Sequence, residues 1–166
     1  MLEVKVVEEI DEIKQVYAEF GLAANLAQCL EYDIVSLMLV NAILTDKTLT
    51  RGDLKKLEGH WDKKTLGILL KPVKGSATTP KDLKDFVETV RLKRNSLMHS
   101  FFMEHSSDLS TPEGRSSMIS ELQEVSEILQ RAQEMFNSAT LTLMEELEIN
   151  KNIINQKLAK LLPFKP

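Results

Sequence analysis

Cysteine, glycine, proline and aromatic side chains are all scarce in this chain, and each shortage removes a class of protein. The single cysteine, Cys29, rules out an internal disulfide. It lies in an apolar helical run and is expected to be a reduced core thiol, as suits a cytoplasmic protein. Six glycines and five prolines among 166 residues favour a helix-rich globular chain over a disordered one. No segment shows the strict alternation of a β-strand. No uninterrupted apolar run reaches membrane-spanning length. Leu37 to Leu44 is the most apolar stretch and reads as buried helix, so no membrane partner is expected. The opening residues, MLEVKVVEEIDE, lack the basic-then-apolar layout of a secretory signal. There is no Gly-rich phosphate loop, no G-x-S-x-G and no H-E-x-x-H. His60 has no Cys, Asp or His at ligand spacing, so neither a metal nor a cofactor is expected.

Positive charge is also in deficit, with a net charge of −4, which argues against a surface that coats nucleic acid broadly. Its distribution is uneven. Residues 1–46 hold 2 basic and 9 acidic side chains, net −7; residues 63–94 hold 9 and 3, net +6; residues 104–148 hold 2 and 10, net −8. The basic block is either a local phosphate-binding patch or a lysine-rich face that pairs with the acidic helices of its own fold.

What is present in abundance is helical periodicity. Residues 7–44 read as one long helix or two stacked ones, with a stripe of Ile10, Ile13, Tyr17, Phe20, Ala24, Ala27, Leu30, Ile34, Leu37 and Leu44, and with Gly21 as a point of kinking. Thr50 is placed to cap a short helix from Arg51 to Glu58, and Asp62 another from Lys63 to Lys71, ended by Pro72 and Gly75. Trp61 reads as a core plug. Residues 75–80 form a loop, and residues 105–111 a polar turn. From Thr111-Pro112 a long helix carries a heptad seam: Met118, Leu122, Val125, Leu129, Ala132, Phe136, Ala139 and Leu143. That seam packs antiparallel within the monomer or partly pairs with a second copy. Ile149 to Leu162 is a last amphipathic segment. The expectation is an all-α, antiparallel helical bundle of four to five main helices plus short ones. It forms a single domain over residues 1–166, with residues 149–166 docked on the bundle.

The chemistry concentrates in residues 80–104, PKDLKDFVETVRLKRNSLMHSFFME. Thr79 and Pro80 suit a helix start, and Leu83, Phe86, Val87, Val90, Leu97 and Phe101 give one apolar face. Arg94 falls in the register of that face, where burial is costly without a partner. Glu31 is the best partner, unless it points to the helix edge and is solvated. Arg91, Asn95 and His99 form a stripe at four-residue spacing. A titratable imidazole beside a fixed cation and an amide suits an anion or phosphate site.

Arg94-Asn95-Ser96-Leu97-Met98-His99 resembles the R-N-x-x-x-H motif of the HEPN superfamily, small helical bundles that are often dimers. Many are metal-independent endoribonucleases of toxin–antitoxin or other defence systems. Ala27-Gln28-Cys29-Leu30-Glu31 is similar to the first helix of some bacterial members. The resemblance implies Arg94 and His99 as catalytic residues. Asn95, in the same catalytic set, would orient the imidazole or the phosphate; Arg91, Lys81 and Lys84 would hold RNA phosphates; Glu31 and Ser96 would support the site. It also implies a homodimer, an RNA substrate and a cognate antitoxin protein. Where some family toxins carry a modifiable tyrosine, this chain has Phe101, so control through that hydroxyl is not expected. The alternative is a non-catalytic helical module that binds a nucleotide, RNA or a partner protein through the same groove.

Overall fold

The computed structural model describes residues 2–61, 63–71 and 81–146. Among them there is no strand, and the chain is all-α. Helix α1 spans Leu2–Thr45, α2 Arg51–Trp61, α3 Leu66–Leu69, α4 Lys81–His99, α5 Phe101–Glu104 and α6 Pro112–Glu146, with a 3-10 turn at Asp108–Ser110 before α6. Outside these residues lie the expected Asp62 cap, the helix stop at Pro72 and Gly75, the loop at 75–80, the Thr79-Pro80 helix start and the amphipathic segment from Ile149.

Helix α1 is continuous for 44 residues, about 66 Å at 1.5 Å per residue. Gly21 does not interrupt it: the isolated-glycine penalty of about 1 kcal/mol is outweighed by packing on both sides. Val16, Ala23, Ala27, Leu30 and Ile34 are fully buried. The buried stripe is thus displaced from the expected one. Ile10 and Tyr17 are exposed at 46% and 53%, and Ala24 is half-buried. Val16 and Ala23 are one residue away from Tyr17 and Ala24, and smaller side chains let α6 approach closely. Cys29 is exposed, which corrects the core-thiol expectation: it lies one step off the stripe, beside Leu30.

The seam on α6 is buried from Met118 to Phe136 inside the monomer, mostly against α1. Three cross-links set the direction. Arg115 donates to Glu12, Gln123 to Glu19 and Gln133 to Asp33, so residue numbers rise together and α1 and α6 run parallel. Helix α4 runs antiparallel to both: Phe86 lies under Arg131, Lys93 pairs with Glu124 at 3.2 Å, and Phe102 reaches back to Tyr17 and Phe20. The long α2–α3 connection turns the chain around for α4, and the 3-10 turn brings it back for α6.

Local chemistry explains the boundaries. Thr50 Oγ1 accepts from the Asp53 N–H at 3.3 Å while Asp53 Oδ2 accepts from the Thr50 N–H at 3.2 Å, a reciprocal cap. This helix continues to Trp61, beyond the expected Glu58, whereas the segment expected as Lys63–Lys71 is helical at Leu66–Leu69, turns at Leu70 and is helical again at Lys71. The motif helix, expected as far as Glu104, ends at His99. Ser100 leaves helical geometry (φ −134°, ψ −13°), and α5 starts afresh. That break aims Phe101, 2% exposed, into a ring cluster with Phe20, Phe102 and His105. At the start of α6, Thr111 Oγ1 accepts from the Gly114 N–H at 3.1 Å. A Cβ on Gly114 would stand 2.2 Å from the Asp108 carbonyl oxygen, so only glycine lets the 3-10 turn lie on this helix.

Candidate functional site

Helix α4 carries the motif, and the bundle treats its members differently. Val87, Val90 and Leu97 are buried on the core face, and Arg94 shares that side with only 17% of its side chain exposed. Its Nη2 stands 2.5 Å from Glu31 Oε1 on α1. The contact is an ion pair with poor angles: Glu31 Oε1 and Arg94 Nε are both buried without a well-formed hydrogen bond. Arg94 Nη1 also donates to Asn95 Oδ1 at 3.3 Å. Arg94, Asn95 and Glu31 therefore form one half-buried polar group between α1 and α4.

His99 lies five residues on, about 7.5 Å along and about 140° around the helix from Arg94. It is exposed and makes no hydrogen bond or ion pair among the described residues. It lines a shallow hollow of about 120 Å³ with Phe20, Met98, Phe102 and Met103. Met103 is 77% exposed and Met98 36%, and Tyr17 stacks on Phe102 at 5.3 Å, so an apolar surface surrounds the imidazole. No direct contact joins His99 to Arg94. Ser96 donates to Glu104 at 3.4 Å rather than toward His99.

Arg91 is engaged in a two-point contact with Glu88, Nε to Oε2 at 3.0 Å and Nη2 to Oε1 at 2.6 Å. That hydrogen bonding holds its guanidinium above its ordinary range. The basic block divides accordingly. Arg91, Lys93 and Arg94 pair within the fold. Lys63, Lys64, Lys81 and Lys84 have no ion pair among the described residues. Lys81 is exposed and Lys84 half-exposed on the first turn of α4.

Two polar clusters gave no signal at fixed spacing. His105 sits between carboxylates, Nδ1 to Asp108 at 2.7 Å and Nε2 to Glu121 at 3.0 Å, and stacks on Phe101 at 4.7 Å. Arg115 is buried and donates to Glu12 at 2.7 Å and to the Leu109 carbonyl at 3.1 Å. Both join α6 to the preceding turn. Asp33 on α1 is partly buried, and burial pushes its carboxyl above the ordinary range while the Gln133 amide pulls it partly back.

A second hollow, of about 200 Å³, opens beside Glu31. Trp61, half-buried, and Tyr32, 56% exposed, stand on its walls. Among the described residues no group of His, Cys, Asp or Glu side chains has metal-holding geometry. By length and composition α1 contains one segment, Ile10–Thr45, apolar enough to cross a membrane. Within it Glu31 and Asp33 bind Arg94 and Gln133 of other helices, which ties the segment to the bundle. No protein-family model, curated protein or solved structure matches the chain.

Proposed function

We propose that the chain is a HEPN-like, metal-independent endoribonuclease, cytoplasmic, and a toxin or defence component held in check by a cognate antitoxin protein. The supporting observation is His99: an exposed imidazole with no hydrogen-bond or ion-pair partner among the described residues, on the same helix as a half-buried Arg94-Asn95 pair. RNA carries its own nucleophile. His99 would take the proton of a 2′-OH, the 2′-oxygen would attack the adjacent phosphorus, and the 5′-oxygen would leave. Cationic groups would stabilise the charge that gathers on the phosphoryl oxygens. The leaving oxygen needs an acid as well, and a second copy brings a second His99. The apolar surface of Tyr17, Met98 and Met103 around the first His99 gives that copy something to cover. Lys81 and Lys84, without ion pairs among the described residues, suit phosphates further along the strand.

The Arg94–Glu31 pair favours a second reading, a non-catalytic helical module in which Arg94 joins α1 to α4 and the lysines bind a nucleotide, RNA or an acidic partner. Labelled RNA incubated with purified protein separates the two. The nuclease reading expects cleavage by the wild type and none by His99→Ala; a folded wild-type protein that binds RNA and leaves it intact establishes the module.

A further inference from the structure

The hollow beside Glu31 has the chemistry of a base-binding site. Gln28, Glu31, Tyr32 and Val35 come from α1, and Trp61 and Lys64 from the α2–α3 side. Its volume, about 200 Å³, accommodates one planar heterocycle and little more. Two aromatic side chains stand at one small opening, in a chain with one tryptophan and two tyrosines. Tyr32 is 56% exposed there. The polar groups that line the hollow are complementary to a base edge. The Gln28 amide both donates and accepts. Glu31 is 30% exposed; its Oε1 faces Arg94, while its Oε2 makes no hydrogen bond among the described residues and can accept from a donor. Lys64, without an ion pair among the described residues, supplies a cation at the rim.

We infer that this hollow binds a nucleobase that carries an exocyclic amine, stacked on Tyr32 and Trp61, with its amine toward Glu31 and its phosphate toward Lys64. An apolar ligand would leave Gln28 and Glu31 desolvated and unpaired. A bare anion would face the Glu31 carboxylate. A purely cationic ligand would face Lys64. The inference rests on the nuclease reading for its biological sense: eleven residues of α1, about 16 Å, separate Glu31 from Phe20 at the His99 hollow. The base held here would then belong to a nucleotide beyond the immediate neighbour of the cleaved bond, and the hollow would set sequence preference.

The single tryptophan makes the test direct. The wild-type protein is titrated with AMP, which has no internucleotide bond to cut, while Trp61 fluorescence is followed. Saturable quenching is expected. Tyr32→Ala should weaken binding about 5- to 150-fold, the range for loss of one aromatic–base stack, while Tyr32→Phe should retain it. UMP, which has no exocyclic amine, should bind more weakly than AMP. Unchanged fluorescence up to millimolar AMP, or equal binding by Tyr32→Ala, overturns the inference. The outcome is independent of cleavage: RNA cutting without AMP binding removes only this site, and AMP binding without cutting removes only the nuclease.

Discussion

At the scale of single residues, the fold separates side chains that the motif lists together. Phe101 is enclosed by Phe20, Phe102 and His105, and Phe101→Ala should destabilise by about 3–5 kcal/mol in chemical denaturation. His99 is exposed, and His99→Ala should change stability by no more than about 0.5 kcal/mol. A large loss for His99→Ala would show that the imidazole is packed rather than poised for chemistry. Arg94 differs from both: Arg94→Ala leaves Glu31 unpaired in a half-buried place and should cost about 1–3 kcal/mol. Lost activity in that variant must therefore be judged beside its unfolding curve. Asp33 gives a pH signature. Its carboxyl titrates higher folded than unfolded, so the folded state holds the proton more tightly. Stability should fall as pH rises from its ordinary value through the raised one, and remain lower above. Asp33→Asn keeps the Gln133 contact and should flatten that slope in melts taken across the acidic range.

At the scale of elements, periodicity was legible and direction was not. The α6 seam from Met118 to Phe136 is buried as its heptads imply, and Leu97 and Phe101 face the core. Heptads do not say which way the partner helix runs, and the Glu12–Arg115 and Asp33–Gln133 contacts that show a parallel α1–α6 pair join residues about a hundred positions apart. On α1, apolar residues occur nearly all round, so the stripe was read one residue off at Tyr17 and Ala24. Arg94 was legible as a polar group in an apolar register, and Glu31 as its partner, because burial of an arginine demands one. His105 was not, since its carboxylates come from the next turn and from α6. The break at Ser100 was missed because Leu97 and Phe101 keep helical spacing across it. Gly114 is the sharpest element-scale test. Gly114→Ala drives a methyl into the Asp108 backbone, and a cost of about 1–3 kcal/mol is expected in thermal melts, with the α6 N-terminus displaced. An unchanged melting temperature would mean the 3-10 turn does not rest on α6.

At the scale of the whole molecule, the seam that invited a dimer is buried within one chain, so a dimer must use another surface. Under the proposed function, the apolar patch around His99 is the surface whose pairing would bring a second His99. Met103→Glu, at the most exposed position in the patch, should shift the mass in light scattering from about 38 kDa toward the 18.8 kDa monomer and reduce cleavage with it. A monomeric wild type that cuts RNA would remove the two-copy mechanism. Cell fractionation should leave the chain in the soluble fraction, because Glu31 and Asp33 bind within the bundle; recovery with membranes would mean α1 has left it. Under the proposed function His99 turns the RNA 2′-OH on its own phosphodiester, and the chemical end of the product reports this. RNA cut by the wild type in the presence of a chelator should carry a 2′,3′-cyclic phosphate or the monophosphate it hydrolyses to, and His99→Ala should yield no such ends. Products ending in a 3′-hydroxyl, or equal cleavage by His99→Ala, would contradict it.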